Sequence, residues 1–578
     1  MGNVRSRTLR GEAAAMRPSR NTGHYFLLGA VIVGFLVVLH NTSPAIRFGQ
    51  FYDDTLYMSM AQALARGDGF VIPSLPGTPP QTKYPVLYPW LLSWIWRWIP
   101  TFPENVRAAV ALNAFTACWY LITAFLLLRR WKGIGSSLAL AIVSICAFHS
   151  SFVFQSGQVA TEIPFAALML TCLLCVDLSS EKDSSPRWIW SAGGLAGLCV
   201  LMRTAGITVV GGVGLYLVWR RRYRDLWRFV LVSAPCALGA VLWSALQRPE
   251  IPPDAAPGWV QTWLFYTSYV DFWLLSITTP QIFWDMVTAN IDAIFMQVSR
   301  LTLFHNLGPR ELPTRALAFM LSVGVLAGLA RHARRDEWRP FHFVFAANVV
   351  VVILWSWTIA SRVFVAFLPL LYVGLIAEMR HLWGALTEPF RSAGRLPEKV
   401  LAGLLFVPLA WLFGTGAVNY VRVFQPPKDR ILLGQITAKE WAELGDWVED
   451  NLPPDTIFLA DLDTYLYLQT GHQAIFPMAF TDNLYYDQDA PAARAQYVRF
   501  MDVARRLQIR YWVVDSQVLP SNVREMDEMV SAFKQGLPEV FRTRSGTLRI
   551  LDLTCILQDD RDLCGDLLER VTVRRDGP

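Results

Sequence analysis

Residues 25–39, Tyr-Phe-Leu-Leu-Gly-Ala-Val-Ile-Val-Gly-Phe-Leu-Val-Val-Leu, form an apolar run directly after an arginine-rich head. No small-residue cleavage site follows the run, so we interpret it as an uncleaved membrane span rather than a signal peptide. The rest of the chain continues this pattern, because its 578 residues are 53% hydrophobic and include 23 tryptophans. This composition predicts a polytopic membrane protein and excludes an ordinary soluble domain.

About eleven segments between charged breaks approach the roughly 20 apolar residues that a helix needs to cross a bilayer. Their approximate ranges are 24–40, 107–128, 135–154, 162–178, 188–202, 205–219, 226–246, 316–330, 341–359, 362–379 and 400–420. The Lys/Arg-rich loops between them fall on the side of the N-terminal head, which is therefore predicted to be cytoplasmic. The net charge of +6 is spread over these loops, which argues against nucleic acid as a partner.

The predicted fold is mainly α, a polytopic helical membrane bundle with interfacial helices and a C-terminal extracytoplasmic α/β domain. Residues 1–23 are assigned to a cytoplasmic basic tail, 24–420 to the membrane domain and 421–578 to the soluble domain. Two outer segments, 41–106 and 247–315, interrupt the spans. Both contain stretches rich in Trp and Tyr, which favour helices lying in the membrane interface.

One of these stretches, residues 84–100, is predicted to lie in the interface rather than to span. In the soluble domain, a helix starting at Ala438 is predicted to end at Asn451-Leu-Pro-Pro454. Short strands at 456–460, 510–514 and 547–551 and a helix near 495–507 complete the predicted α/β pattern. Cys555 and Cys564 could form a disulfide if the domain is extracytoplasmic.

Two adjacent acids, Asp53 and Asp54, stand in the first outer segment, in Phe51-Tyr-Asp-Asp-Thr-Leu-Tyr57. The apolar spacing after them predicts a helix that begins at the acids and ends at Gly67-Asp-Gly69. The helix dipole favours an ionised carboxylate at this end, and a general base needs an ionised carboxylate to take a proton from a hydroxyl or amine. Solvated loop charges or simple helix N-caps are the alternative interpretation.

Lys83 precedes Tyr84-Pro85, and the proline favours an extended backbone that would hold the ammonium near the membrane surface, where it suits a phosphate. The alternative is a snorkelling lysine that anchors the interfacial helix. Arg203 and Arg362 stand on the same predicted face and could clamp a phosphate together with Lys83. Either arginine could instead neutralise Glu162 or contact lipid headgroups.

Glu162 opens the fourth predicted span. A carboxylate near a membrane segment is costly, which favours a functional role over a first-turn cap. The sequence contains no His/Cys cluster with zinc-ligand spacing, so no metal site is assigned. Asp53 and Asp54 could hold a divalent cation, although hard ions usually draw on more oxygens than this pair supplies. No other cofactor is expected.

An ordered set of motifs resembles the GT-C superfamily of membrane glycosyltransferases, which includes protein O-mannosyltransferases and bacterial lipid A aminoarabinose transferases. These motifs are Tyr52-Asp-Asp-x-x-Tyr57, Lys83-Tyr-Pro85 with Leu87-Tyr-Pro89, Glu162 opening a span, and Arg362 before Leu368-Pro-Leu370. The resemblance covers about Val31 to Tyr420. It implies transfer of a sugar from a polyprenyl-phosphate donor on the extracytoplasmic face, with inversion at the anomeric carbon.

The resemblance also implies residue roles. Asp53 corresponds to the base, Lys83 to a phosphate-binding lysine and Glu162 to a second acid, while Tyr57 and Tyr84 belong to the substrate-binding motifs. Tyr84 is a departure, since the family has a proline pair after the lysine and this chain has Tyr84-Pro85. The soluble tail resembles the outer domains of some members.

The leading hypothesis is therefore a single-displacement glycosyltransferase of the inner (plasma) membrane, with a cytoplasmic N-terminus. Its expected partners are a polyprenyl-phosphate sugar, a lipid, glycan or protein acceptor, and membrane lipids. A transporter or flippase of lipid-linked or anionic solutes would use the same cations, but it tends to show inverted repeats, which the sequence does not display. A non-catalytic membrane anchor for the C-terminal domain is a third hypothesis.

Overall fold

The computed structural model describes residues 20–41, 48–49, 52–181, 184–248, 263–276, 279–303, 312–355, 361–393, 438–476, 503–515 and 535–558. Its α-helices up to residue 393 are α1 Arg20–Asn41, α2 Tyr52–Arg66, α3 Leu87–Trp98, α4 Glu104–Leu128, α5 Ser136–Ala147, α6 Ser150–Ser156, α7 Glu162–Leu178, α8 Arg187–Met202, α9 Ile207–Trp219, α10 Tyr223–Leu246, α11 Tyr269–Ser276, α12 Pro280–Leu303, α13 Leu312–Asp336, α14 Pro340–Ile353 and α15 Leu368–Ala393. These helices confirm the mainly α fold.

Five helices in the described part of the chain are long and apolar enough to cross a bilayer, which supports an integral membrane protein. These are Gly23–Asn41, Glu104–Leu128, Tyr223–Leu246, Arg315–Arg335 and Val365–Ala385. The pair α5 and α6 would make a sixth span, but it is bent by 64° at the break between the two helices.

The other predicted spans from 162 to 359 are helical but short. α8, α14 and the stretch Thr204–Trp219 are apolar helices of 10–17 residues, and α7 has 17 residues. Among the described residues, five helices and one bent pair reach the length of a span, compared with the eleven spans predicted for the whole chain. The predicted span 400–420 lies outside the described residues.

The short helix α3 has two faces. Its 12 residues would rise only about 18 Å, too little to span a bilayer. Trp90, Trp94 and Trp98 are exposed on one side, whereas Tyr88, Leu92 and Trp96 are buried on the other. This arrangement agrees with the prediction of an amphipathic, non-spanning helix for residues 84–100.

The second outer segment, predicted to contain surface-lying helices, forms a helical turn at 263–267 followed by α11 and α12. α12 is not confined to the surface, since it packs against α13, α14 and α15 and buries Val298 and Leu301. This segment therefore forms part of the bundle as well as covering it. The amphipathic pattern could not show which helices would receive its apolar face.

Charged side chains join the loops that were predicted to be cytoplasmic. Arg130 pairs with Glu181, and Arg222 donates to the Ser179 carbonyl at 2.9 Å. Arg220 pairs with Glu337 at 2.5 Å. These contacts gather the Arg-rich loops at one end of the bundle.

The C-terminal domain contains a five-stranded mixed sheet. The described secondary structure is α16 Ala438–Asn451, β1 Phe458–Ala460, α17 Asp463–Thr470, β2 Ala474–Ile475, β3 Tyr511–Asp515, β4 Glu539–Arg542, β5 Leu548–Asp552 and α18 Thr554–Gln558. The strand order is β2-β1-β3-β5-β4, with β1 parallel to its two neighbours and β5 antiparallel to β3 and β4. β2 and β4 were not predicted, because they are short and carry no strong alternation.

The predicted helix near 495–507 is described only from residue 503, where a helical turn runs to 506. Cys555 is disulfide-bonded, and Cys564 lies outside the described residues.

The domain packs on the first outer segment, where Ala474 donates its backbone N–H to the Ser74 carbonyl at 2.9 Å. Tyr465 contacts the rings of Phe48 and Phe102 at centroid distances of 5.8 and 5.5 Å.

Candidate functional site at the end of the bundle

The two adjacent acids lie in the first turn of α2, as predicted, and they point to different partners. α2 ends where Gly67 adopts a φ of +91°, a left-handed conformation that favours glycine. Asp54 is buried and accepts the backbone N–H groups of Gly49 at 2.8 Å and Thr55 at 2.7 Å. These contacts tie the Asp54 carboxylate to backbone N–H groups on both sides of the start of α2.

Asp53, in contrast, accepts a separate side-chain donor on each carboxylate oxygen. Oδ1 accepts the Tyr84 hydroxyl at 2.7 Å, and Oδ2 accepts Nη1 of Arg362 at 2.9 Å. Burial tends to raise the pKa of Asp53, but Arg362, the Tyr84 hydroxyl, Lys83 and Arg203 outweigh it and lower the pKa below its ordinary value. The carboxylate is thus held in its ionised form.

Arg362 also approaches a second acid. Its Nε lies 3.7 Å from Oε1 of Glu162, and the same oxygen accepts Nη1 of Arg203 at 2.6 Å. Glu162 lies in the first turn of α7, and its side chain is only 6% exposed. Among the predicted alternatives for Arg203 and Arg362, the structure shows direct neutralisation of carboxylates. Arg362 links the two acids, and Arg203 pairs with Glu162.

A break between two helices positions Arg203. α8 ends at Met202, Arg203 is extended with φ −157° and ψ 138°, and a 3₁₀ turn over Thr204–Gly206 leads into α9. Gly206 makes this close turn possible, because a Cβ there would lie 2.3 Å from the carbonyl carbon and oxygen of Cys199. The extended conformation of Arg203 ends α8, so the guanidinium lies at a helix end.

Lys83 is buried in an aromatic cage next to these groups. Its ammonium donates to the Phe265 carbonyl at 2.6 Å and lies 4.5, 4.8 and 5.1 Å from the ring centroids of Phe265, Tyr269 and Tyr84. Burial lowers the pKa of Lys83 to about 7, while Asp53 opposes this change and Arg362 adds to it. The alternative of a snorkelling lysine does not describe this side chain, which is 5% exposed and enclosed by protein.

Tyr57 lies beneath the cluster, with its ring edge-on to Tyr84 and Tyr88 at centroid distances of 5.4 and 5.2 Å. Its ring is buried, and its hydroxyl is close enough to Asp53, Glu162 and Arg203 to interact with them electrostatically. The structure thus collects Asp53, Glu162, Lys83, Tyr84, Arg203 and Arg362 in one cluster, with Tyr57 packed behind it and Asp54 directed elsewhere. Their roles in chemistry remain predictions.

Two members of the site were not assigned from the sequence. Tyr269 packs against the Tyr84 ring at 5.9 Å and against Trp355 at 5.1 Å, and Phe265 supplies the carbonyl that holds Lys83. Both lie in the aromatic outer segment 247–315. The many aromatic residues there predicted helices in the membrane interface, but they could not indicate which rings would lie beside the acids.

The cluster contains cations that could bind an anionic ligand. Lys83, Arg203 and Arg362 lie beside the carboxylates of Asp53 and Glu162. The side chains of Asp53 and Arg362 are 24% and 33% exposed, which leaves both accessible to a substrate. Within the described ranges, no group of three His, Cys, Asp or Glu residues could hold a metal ion.

Two solved structures share the architecture of this chain. ArnT from Cupriavidus metallidurans, solved bound to undecaprenyl phosphate, is 14% identical with a TM-score of 0.50, and the match covers 92% of this chain and 98% of ArnT. The apo oligosaccharyltransferase of Archaeoglobus fulgidus is 13% identical with a TM-score of 0.51, covering 92% of this chain and 75% of that one. No family model and no curated protein sequence matches.

At these identities the similarity shows the fold alone. It is the fold that the resemblance to GT-C membrane glycosyltransferases predicted, and that expectation is confirmed. The donor, the acceptor and the reaction are inferred from the site.

Proposed function

We propose that the chain is a glycosyltransferase that moves a sugar from a polyprenyl-phosphate donor to a hydroxyl or amine acceptor on the extracytoplasmic face. The observation that carries this proposal is the convergence of Asp53, Glu162, Arg203 and Arg362, from four separate elements, into one ion-paired cluster. The ionised acid can accept a proton, and the arginines beside it, which also reach solvent, can bind a phosphate. A fold shared with a protein solved with undecaprenyl phosphate supports the choice of donor.

In the proposed reaction, an acceptor oxygen or nitrogen forms a bond to the anomeric carbon while the bond from that carbon to the phosphate oxygen breaks. The bonding electrons leave with the phosphate as polyprenyl phosphate, and the acceptor proton passes to Asp53. Because the pKa of Asp53 is lowered, the carboxylate is a weak base, and the proton moves as the acceptor bonds to carbon. The single displacement inverts the configuration.

The cations act on the departing phosphate. Arg362 and Lys83 stabilise the negative charge that develops on the leaving oxygen, and preorganised charges of this kind often make the largest catalytic contribution. Glu162 holds Arg362 and Arg203 in place. Since Arg362 contacts Asp53 before substrate binds, its shift toward the phosphate would also free the carboxylate for the acceptor. A divalent cation is not needed for this scheme.

The test is release of free carrier from a panel of polyprenyl-phosphate sugars by the purified chain in liposomes. Asp53→Asn removes the base but retains the shape, so we expect turnover to fall by about 10²–10⁴-fold. Asp68→Asn is the matched control, because Asp68 is an exposed acid of the same outer segment and should leave turnover unchanged. Equal turnover by wild type and Asp53→Asn would exclude the proposed base. Donor movement across the bilayer without carrier release would indicate a flippase instead.

A further inference from the structure

The C-terminal domain places the start of one helix against the candidate site. At the first residues of α17, Asp463 and Thr464 are both buried. The Asp463 carboxylate accepts the hydroxyl of Tyr266, and the Thr464 hydroxyl is hydrogen-bonded to that of Thr55. The first contact reaches the turn that holds Lys83, and the second reaches the helix that carries Asp53.

The contact between Asp463 and Tyr266 is connected to Lys83 through the peptide bond between Phe265 and Tyr266. Tyr266 directly follows Phe265, whose carbonyl accepts the Lys83 ammonium at 2.6 Å. One residue further on, the Thr267 carbonyl accepts the Thr82 hydroxyl at 2.5 Å. The 263–267 turn therefore holds residues 82 and 83 from one side, while Asp463 holds the turn from the other side.

The second contact leads to Asp53. Thr55 follows the acid pair in the first turn of α2, and α17 packs along α2. A shift of the domain would thus move the N-terminal turn of α2 and the 263–267 turn together. The positions of both Lys83 and Asp53 therefore depend on the position of the C-terminal domain.

The chemistry of these contacts indicates positioning rather than simple adhesion. Burial raises the pKa of the Asp463 carboxyl to about 7, with the Tyr266 hydroxyl opposing the change. Buried polar groups stabilise an interface poorly compared with apolar groups of similar size, but their directional bonds select a single arrangement. Apolar rings such as Tyr465 and Phe102 already supply adhesion between the domain and the first outer segment.

We propose that Asp463 is a positioning residue of the transfer reaction, which acts through Tyr266 and the Phe265 carbonyl to hold Lys83 where it binds the carrier phosphate. The C-terminal domain then completes the donor site. This inference rests on the proposed function, because it assigns Lys83 to the phosphate.

The experiment measures the Kd of the full-length chain in nanodiscs for undecaprenyl phosphate. Asp463→Ala removes the acceptor of the Tyr266 hydroxyl, and we expect binding to weaken about tenfold, as for one impaired ionic contact. Asp463→Asn retains an amide oxygen that can accept the same hydroxyl, so it should restore most of the affinity. In a Lys83→Met background, Asp463→Ala should cause no further loss.

Gln473→Ala is the matched control. Gln473 also makes a hydrogen bond from the domain to the first outer segment, from Nε2 to the Pro73 carbonyl at 3.2 Å, but this bond does not lead to Lys83. Its Kd should equal that of the wild type. Equal weakening by Gln473→Ala and Asp463→Ala, or an additive loss with Lys83→Met, would overturn the inference by showing general loosening of the domain. Wild-type affinity in Asp463→Ala would overturn it as well.

The two proposals fail differently. If the wild-type chain does not bind undecaprenyl phosphate, the proposed donor class is wrong and with it the assignment of Lys83. If the wild type binds and Lys83→Met weakens binding while Asp463→Ala does not, the transferase proposal stands and the positioning role of Asp463 is wrong.

Discussion

The Asp53 carboxylate accepts one donor on each oxygen, Tyr84 and Arg362, and these two groups contribute with Lys83 and Arg203 to its lowered pKa. The Tyr84 contact gives a structural reason for a departure from the family pattern. Tyr84 stands at the first position of the expected proline pair, and a proline there would have no hydroxyl to donate to the acid. The sequence identified the departure, but only the structure shows the hydrogen bond that accompanies it.

Lys83 should make phosphate binding sensitive to pH near neutrality. A lysine with a pKa of about 7 is charged below that pH and neutral above it, so its contribution to binding undecaprenyl phosphate should be lost as the pH rises through 7. We expect the Kd to rise by about tenfold over roughly pH 6–8.5 as one ionic contact is lost. Asp53 and Arg362 face the ammonium, and their charges should remain constant over this range.

Lys83→Arg provides the comparison for this titration, because a guanidinium stays protonated at every pH used. Its Kd should follow only the titrations that both proteins share, those of the phosphate and of Asp463, whose carboxyl pKa is about 7. The difference between the two curves isolates Lys83. Parallel curves would show that the lysine keeps one protonation state throughout.

At the scale of elements, breaks between helices bring the charged residues to the site. Glu162 begins α7, Arg203 separates α8 from the 3₁₀ turn that precedes α9, and Arg362 lies in a 3₁₀ turn ahead of α15. If the helices were uninterrupted, these side chains would lie along the sides of the helices instead of at their ends. The breaks explain why several predicted spans are shorter than a bilayer requires.

The turn at Gly206 should therefore be intolerant of a side chain. In Gly206→Ala the new Cβ meets the Cys199 carbonyl at 2.3 Å, so the backbone must move, at a cost of about 1–3 kcal/mol. We expect a lower Tm in detergent and weaker carrier binding, since the movement displaces Arg203 from Glu162. Gly211→Ala is the control, because no atom lies within 4 Å of its added Cβ and the change should leave Tm the same or higher. Equal Tm values for both variants would contradict the proposed constraint.

At the scale of the molecule, the two ends of the bundle differ in composition. One end joins the Arg-rich loops by ion pairs such as Arg220 with Glu337, and the other contains the acid-arginine cluster and the docked C-terminal domain. The Lys/Arg bias predicts that the first end is cytoplasmic. The proposed extracytoplasmic reaction depends on this prediction.

Sidedness can be measured with single cysteines at exposed positions. Asp68→Cys, in the first outer segment, should react with a membrane-impermeant thiol reagent on intact cells. Lys132→Cys, in an Arg-rich loop, should react only after the membrane is opened. The parental chain corrects for its native thiols, several of which are buried. The reverse pattern would place the cluster in the cytoplasm and remove the basis for an extracytoplasmic reaction.

Local sequence was sufficient to predict many of the elements. The apolar runs predicted spans that overlap helices such as α1, α4, α7 and α8, Gly67 marked the end of α2, and the Pro-Pro pair followed the end of α16. These features are readable because they depend on residues within a few positions of one another. The resemblance in residues 51–89 likewise identified the fold, since it rests on short ordered motifs. The bounds of α11 and α12 and the strands β2 and β4 were not predicted.

Only the tertiary structure decided which groups the charged side chains contact. Arg362 reaches Asp53 across 309 residues, and Lys83 reaches the Phe265 carbonyl across 182 residues. Whether an arginine meets a phosphate, a headgroup or a carboxylate depends on how distant helices pack, and periodicity within one helix carries no information about that. The sequence by itself determined which charged residues lie at helix ends, and packing determined that Asp53 and Arg362 meet while Asp54 turns away.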